Sequence, residues 1–180
     1  LSLSRVEAEE HRPPDDAVAL IPLLDELTSA MRDESLKTGK TLTISVADEL
    51  ADDDLLVRGA HDELRQVFQN LVENAMRYGT PETDIGVKVS VGRLVSGQSR
   101  DNLLRVQIIN QGDTIAAEHL ARLTERFYRI DKGRSRQFGG TGLGLAIVKH
   151  IVNRHRGRLR ISSEHGETTV SVTLPRFSDS

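Results

Sequence analysis

Apolar and polar positions along this chain follow two periods, and together they predict its elements. From residue 16 to about 36, Val18, Leu20, Ile21, Leu24, Leu27 and Met31 recur at helical spacing. Asp15 or Asp16 can cap the start of that helix and Gly39 can close its end. Residues 41–47 alternate with period two and predict a strand, and residues 55–59 predict a second, shorter one. The helix predicted over His61–Tyr78 has the clearest stripe, with Leu64, Val67, Phe68, Leu71, Val72 and Ala75 forming one continuous face. Two strands at 85–95 and 103–109 follow, joined through the turn-rich stretch SGQSRDN. A short helix is predicted over 118–125, then a basic, glycine-bearing loop over 131–140. The next helix, 142–155, puts Leu143, Ile147 and Ile151 beside Gly144, Val148 and Val152 on adjoining rows. Two final strands, 158–164 and 168–175, turn at His165-Gly166. Helices mixed with adjacent-strand hairpins imply an α+β fold with the helices on one sheet face. The opening LSLSRVEAEEHR reads as the end of a charged helix, stopped by Pro13-Pro14.

Composition narrows the classes. The 180 residues carry 24 Lys+Arg against 27 Asp+Glu, a formal charge of −3, which gives polyanion binding no support. The alternating Arg154, Arg156, Arg158 and Arg160 are read as exposed strand and turn residues rather than a nucleic-acid contact. With 37% hydrophobic and 28% charged residues the chain is globular rather than disordered. Its core must be aliphatic, since there is no Trp and only two Tyr and four Phe. The absence of Cys excludes disulfides, thiol nucleophiles and thiolate metal sites. No apolar run approaches the ~20 residues needed to span a bilayer. The first residue is Leu rather than Met, so a piece of a longer protein is expected.

Three stretches carry candidate chemistry. In GGTGLGLAIVKHIV, Gly140, Gly142 and Gly144 alternate where an apolar-striped helix begins. Glycine lets backbone approach a ligand and a helix N-terminus offers unpaired N–H groups, the elements of a phosphate cradle. Helix entries and tight turns also collect glycine, and the stretch matches neither a P-loop nor a dinucleotide fingerprint. In QNLVENAMRYG, Asn70, Asn74 and Arg77 form a polar row opposite the apolar stripe. Such a row is usually a solvated face, yet Asn is a poor helix former and two of them one turn apart need a reason. An amide oxygen is a hard neutral ligand suited to Mg²⁺, Arg77 suits phosphate, and Tyr78 can stack on a base. In RLTERFYRIDKGRSRQ, Phe127 and Tyr128 precede Arg129, Lys132, Arg134 and Arg136; aromatic pairs commonly anchor a loop, and basic loops are common.

In this order the three stretches resemble the catalytic and ATP-binding domain of sensor histidine kinases, in the GHKL superfamily. The N box is QNLVENAMRYG, the F box TERFYRI, and the second G box GGTGLGLAIVKHIV. The similarity runs from about Val18 to Pro175, and the wording around ARLTERFYRID and GTGLGLAIVKHIVNRHRGRL is closest to phosphate-regulon-type sensor kinases. The resemblance implies a two-layer α/β sandwich, a mixed five-stranded sheet with three helices on one face. Residues 1–14 would then be the end of a dimerisation helix and linker, 15–177 the catalytic domain, and 178–180 a tail. ATP would lie between the N-box helix and a lid over 121–139. Asn74 would ligate Mg²⁺ with Asn70 beside it, Arg77 would contact phosphate, and Tyr78 would border the adenine. The glycine-rich run Gly140, Thr141, Gly142, Leu143 and Gly144 would cradle the phosphates, Phe127 would belong to the nucleotide site, and Arg134 or Arg136 would reach the γ-phosphate. The expected function is Mg-ATP-dependent transfer of phosphate to a histidine on a separate dimerisation domain, with a response regulator downstream. The same resemblance implies the cytoplasmic part of an inner-membrane bacterial sensor, homodimeric at full length and monomeric as this fragment.

Two departures from the family pattern stand out. The first G box usually reads D-x-G-x-G; here it is Asn110-Gln111-Gly112-Asp113-Thr114. A neutral amide in place of the carboxylate that accepts from the adenine amino group costs about 1 kcal/mol, roughly fivefold in affinity. No acceptor-histidine motif is present, and His11, His61, His119, His150, His155 and His165 are read as surface or structural groups. Two other functions stay open at this point: a degenerate nucleotide-binding or protein-interaction module without catalysis, and an autonomous ATPase. In ATPase branches a Glu one turn before the metal-binding Asn orients water; Asn70 stands there, and Glu73, ~100° around the helix from Asn74, is expected to point elsewhere.

Overall fold

The computed structural model describes residues 13–50, 55–92, 103–130 and 141–177. Its elements, in chain order, are β1 (Asp16–Ala19), α1 (Leu20–Lys37), β2 (Leu42–Val46), a 3₁₀ turn (Asp48–Leu50), β3 (Leu56–Gly59), α2 (His61–Tyr78) and β4 (Ile85–Val91). These are followed by β5 (Leu103–Gln111), α3 (Ala117–Leu120), α4 (Gly144–Arg154), β6 (Arg158–Glu164) and β7 (Glu167–Pro175). Five strands form a mixed sheet in the order β2-β4-β5-β7-β6, with β2 parallel to β4 and the other pairs antiparallel. Period-two alternation sends Leu104, Val106 and Ile108 of β5 to one face, where all three are buried. Against that face lie α1, α2 and α4, with α2 between its neighbours. The two-layer sandwich with three helices on one face is the expected architecture.

The α2 stripe is buried as its spacing predicts: Leu64, Val67, Phe68, Leu71, Val72 and Ala75 all lie in the core. At the β6–β7 turn, His165 (φ +51°) and Gly166 (φ +79°) both adopt left-handed backbone, the conformation a two-residue hairpin of matching twist requires. Gly39 (φ +68°) lies just beyond α1, its N–H donating to the Leu36 carbonyl at 3.0 Å.

Several boundaries move. Residues 16–19 are not the first turn of a helix; they form β1, antiparallel to β3 in a separate two-stranded ribbon with Asp16 opposite Gly59. Ala19, not an aspartate, is the N-cap of α1, and it makes no side-chain capping bond. Asp15 instead pairs with Arg58 of β3. The helix expected over 118–125 has one regular turn, Ala117–Leu120. Helix α4 begins at Gly144, two residues later than expected, because Gly142 takes a left-handed φ of +70°. The strand expected to reach 95 is described to Val91. The helix end expected over 1–12, the 93–102 connection and the 131–140 loop lie outside the described residues.

One histidine ties α2 to α4. His155, 2% exposed, is the C-cap of α4. Its Nδ1–H donates to the Ile151 carbonyl at 2.8 Å, so Nε2 is the acceptor and takes the N–H of Ala60, the α2 N-cap, at 3.0 Å. A Cβ on Gly59 would lie 2.6 Å from this ring, so only glycine fits there. Glu63 reaches toward Nδ1 at 3.7 Å and also pairs with Arg154. Burial lowers the imidazole pKa below its ordinary value; the Ile151 bond and Glu63 oppose this and Arg154 adds to it. A proton on Nε2 would set two donors against each other at Ala60. The unfolded chain therefore binds this proton more readily, near pH 6.5. Stability from the neutral ring is present above pH ~6.5 and lost as pH falls through the lowered folded pKa. Urea midpoints measured from pH 7.5 to 5 should fall, and His155→Gln, whose amide oxygen can accept from Ala60, should flatten that slope.

Candidate nucleotide site

A cavity of about 1030 Å³ opens between α2, the β5–α3 segment and the start of α4, at the upper end of the range for small-molecule sites. Its α2 wall carries Asn70, Asn74, Arg77 and Tyr78. They project there because the opposite side of α2 is committed to the core. Asn70 donates its amide N–H to the Gln66 carbonyl one turn back at 3.0 Å, which directs Oδ1 toward Gly144. A Cβ on Gly144 would stand 3.2 Å from that oxygen. The second wall is the N-terminus of α4, with no side-chain cap and no acidic residue in its first turn. The first N–H groups of a helix have no partner within the helix, which suits an anion.

Asn110, near the end of β5, also lines the cavity. It continues the inward row of Leu104, Val106 and Ile108, so its amide is drawn to the core side and is 8% exposed. Its Nδ2 donates to the Gln111 carbonyl at 3.3 Å, leaving Oδ1 as an acceptor for the cavity. Gly112 and Thr114 also line the cavity, and both clasp the β6–β7 turn. The Gly112 N–H donates to the Gly166 carbonyl at 2.8 Å, and the Gly166 N–H donates to Thr114 Oγ1 at 2.9 Å. Thr114, where the family pattern has glycine, thus holds a neighbouring hairpin. Gly112 must be small, because a Cβ there would lie 3.0 Å from the Tyr78 carbonyl.

Thr141, Gly142 and Gly144 line the cavity; Leu143 is the α4 N-cap and does not. Phe127 is outside the lining too, the residue being 71% exposed. Its backbone matters instead: its N–H donates to the Gly142 carbonyl at 3.0 Å, and both residues have positive φ. Arg134, Arg136 and Gly140 lie outside the described residues.

The lining also includes Glu73, His119, Tyr128 and Arg129, to which the sequence had assigned no contact with the ligand. Tyr128 and Arg129 follow Phe127 into the wall, and His119 enters from α3. Glu73, expected to face away, also lines the cavity, held by a 2.9 Å bond from Gln69 Nε2. An angle about the α2 axis does not reveal how far the cavity wraps around that helix. Among the described residues no group of three His, Cys, Asp or Glu could hold a metal. A Mg²⁺ here would depend on neutral amide oxygen, water and the oxygens of a bound phosphate, a donor set this hard cation accepts. Asn74 and Asn70 fit that requirement, and the open α4 N-terminus and the glycines fit a polyphosphate.

Residues 59–178 match the family model described as "Histidine kinase-, DNA gyrase B-, and HSP90-like ATPase". The chain is 36% identical over 169 residues to the phosphate regulon sensor protein PhoR of Pseudomonas aeruginosa, covering 93% of this chain and 35% of that protein. It is 36% identical over 159 residues to the signal transduction histidine-protein kinase BaeS of Escherichia coli K12, covering 88% and 31%. The chain thus spans about a third of the length of these relatives. Among solved structures, the catalytic domain of histidine kinase ThkA aligns with a TM-score of 0.73 at 20% identity, covering 90% of this chain and 95% of that one. ThkA in complex with the response regulator TrrA aligns with a TM-score of 0.69 at 19% identity, covering 90% and 42%. With its two-layer fold and a cavity walled by the N-box helix and the glycine-rich helix start, the chain belongs to the histidine kinase-, DNA gyrase B- and HSP90-like ATPase family.

Proposed function

We propose that this chain is the Mg-ATP-binding catalytic domain of a two-component sensor histidine kinase, transferring the γ-phosphate of ATP to a histidine on a dimerisation domain. The observation that carries this reading is the convergence of Asn70, Asn74 and Arg77 of α2 with Gly142 and the N-terminus of α4 on one cavity. Asn74 would hold Mg²⁺ with Asn70 beside it; when bound, the ion neutralises triphosphate charge that the neutral amides cannot. Arg77 would pair with phosphate, Tyr78 would border the base, and Asn110 Oδ1 would accept from the adenine amino group. Thr141, Gly142 and Gly144 would cradle the phosphates, and Arg134 or Arg136 would stabilise γ-phosphate charge during transfer. In that step the acceptor imidazole nitrogen bonds to the γ-phosphorus as the bond to the ADP oxygen breaks. The whole protein would be a homodimeric inner-membrane sensor with this domain in the cytoplasm and a response regulator as partner. Among the described residues no helix is long and apolar enough to cross a membrane.

A second reading, autonomous ATP hydrolysis, is favoured by one observation: Glu73, an acidic residue, is among those that line the cavity. Incubation with [γ-³²P]ATP separates the two. The chain alone should stay unlabelled, and a separate protein carrying the dimerisation helices should acquire acid-labile phosphohistidine. Turnover of ATP by the chain alone at ~1 s⁻¹ or faster, an ordinary enzymatic rate, would favour hydrolysis. Stable label on a histidine of this chain would contradict the kinase reading.

A further inference from the structure

Tyr128 is held from three sides. Its hydroxyl lies 2.6 Å from His119 Nδ1, the Arg122 guanidinium stacks 4.2 Å from its ring centroid, and the preceding Phe127 is bonded to Gly142. Arg122 is itself braced by Glu125 at 3.2 Å. Tyr128 and His119 both line the nucleotide cavity. With its proton on Nε2, the ring nitrogen 3.9 Å from the Glu118 carboxylate, His119 presents Nδ1 as an acceptor. The Tyr128 O–H then donates to Nδ1, and its oxygen has lone pairs but no proton for a ligand. Phosphate oxygens are acceptors and have nothing to give such a group. A sugar hydroxyl is a donor and does.

The position agrees. Through Phe127, Tyr128 is joined to Gly142 at the phosphate end of the cavity. Through His119 it is joined to α3, the continuation of the wall that starts at Asn110. We propose that Tyr128 Oη, oriented by His119, accepts a hydrogen bond from a ribose hydroxyl of the bound nucleotide, which makes the pair a sugar subsite. This rests on the nucleotide-binding reading above.

The test is titration calorimetry of the Mg²⁺ complexes of ATP, 2′-deoxy-ATP and 3′-deoxy-ATP. The parent should bind at least one deoxy analogue about threefold to tenfold more weakly than ATP, the worth of one hydrogen bond. Tyr128→Phe keeps the ring under Arg122 and should bind all three alike. His119→Ala should lose the discrimination, and His119→Asn, whose Oδ1 can stand where Nδ1 stood, should retain it. The ratio between analogues is insensitive to a uniform loss of folded protein. Equal binding of all three by the parent, or discrimination persisting in Tyr128→Phe, would overturn the subsite; discrimination persisting in His119→Ala would overturn the orienting role. A parent that binds no nucleotide would overturn the nucleotide reading itself, and the subsite with it.

Discussion

Asn74→Ala should remove most of the Mg²⁺-dependent part of ATP binding while leaving the fold intact. Asn74 stands in the cavity wall, on the side of α2 turned away from the buried stripe. Its replacement opens no core void, and alanine is the better helix former by a few tenths of a kcal/mol. Thermal unfolding should therefore be unchanged or slightly raised. The loss falls on the ligand: Mg²⁺ keeps its water and phosphate oxygens but loses the protein oxygen that fixes it to α2. Affinity in Mg²⁺ should drop about tenfold or more, ~1.4 kcal/mol per decade. Affinity with EDTA present should stay within about twofold of the parent. Titration calorimetry in both conditions reads the difference, and equal affinity of variant and parent in Mg²⁺ would exclude Asn74 as a ligand. Asn74→Asp should strengthen attraction for the ion but set a second negative charge against the triphosphate.

The glycines at the start of α4 should separate a fold effect from a site effect. Gly142 has φ +70°, and a Cβ there would lie 3.0 Å from Phe127 Cα and 3.1 Å from its carbonyl carbon. Gly142→Ala meets a left-handed backbone and a backbone neighbour together, and it pushes on the Phe127-to-Gly142 bond. It should destabilise by about 1–3 kcal/mol, lowering Tm by ~2–4 °C per kcal/mol, and weaken ATP binding as well. Gly144→Ala differs. Among the described residues its Cβ would meet only the Asn70 side-chain amide, Oδ1 at 3.2 Å, the end of a side chain that can turn aside. Alanine at the first position of α4 offsets the contact through helix propensity, so Tm should barely move. Asn70 would be displaced, however, and ATP affinity should fall severalfold. Thermal melts and titrations of the two variants check the contrast; equal losses of stability would remove the distinction between a fold effect at Gly142 and a site effect at Gly144.

How much of this was legible before the structure depends on the range of the interactions involved. The α2 stripe, the alternation of β5 and the His165-Gly166 turn are local: period and turn chemistry act within a few residues. Even the burial of Asn110 follows from alternation, since it lies in phase with Leu104, Val106 and Ile108. Residues 16–19 show the limit. DAVA is compatible with a helix start, and only pairing with Leu56–Gly59 some forty residues away makes it a strand. Local propensity is a weak prior that long-range hydrogen bonding overrides.

The site divides in the same way. By itself the sequence determined which residue types stand at N-box, F-box and G-box spacing, and hence that a Mg-nucleotide cavity was to be expected, because those requirements are written in short contiguous stretches. Only the tertiary structure decided that Glu73, His119, Tyr128 and Arg129 line the cavity while Phe127 and Leu143 do not. It also decided that Thr114 clasps a hairpin and that His155 joins the N-cap of α2 to the C-cap of α4. The physical reason is that a cavity wall is made by the packing of separate elements. The side of a helix or turn that faces it depends on neighbours distant in the chain, which no local period records.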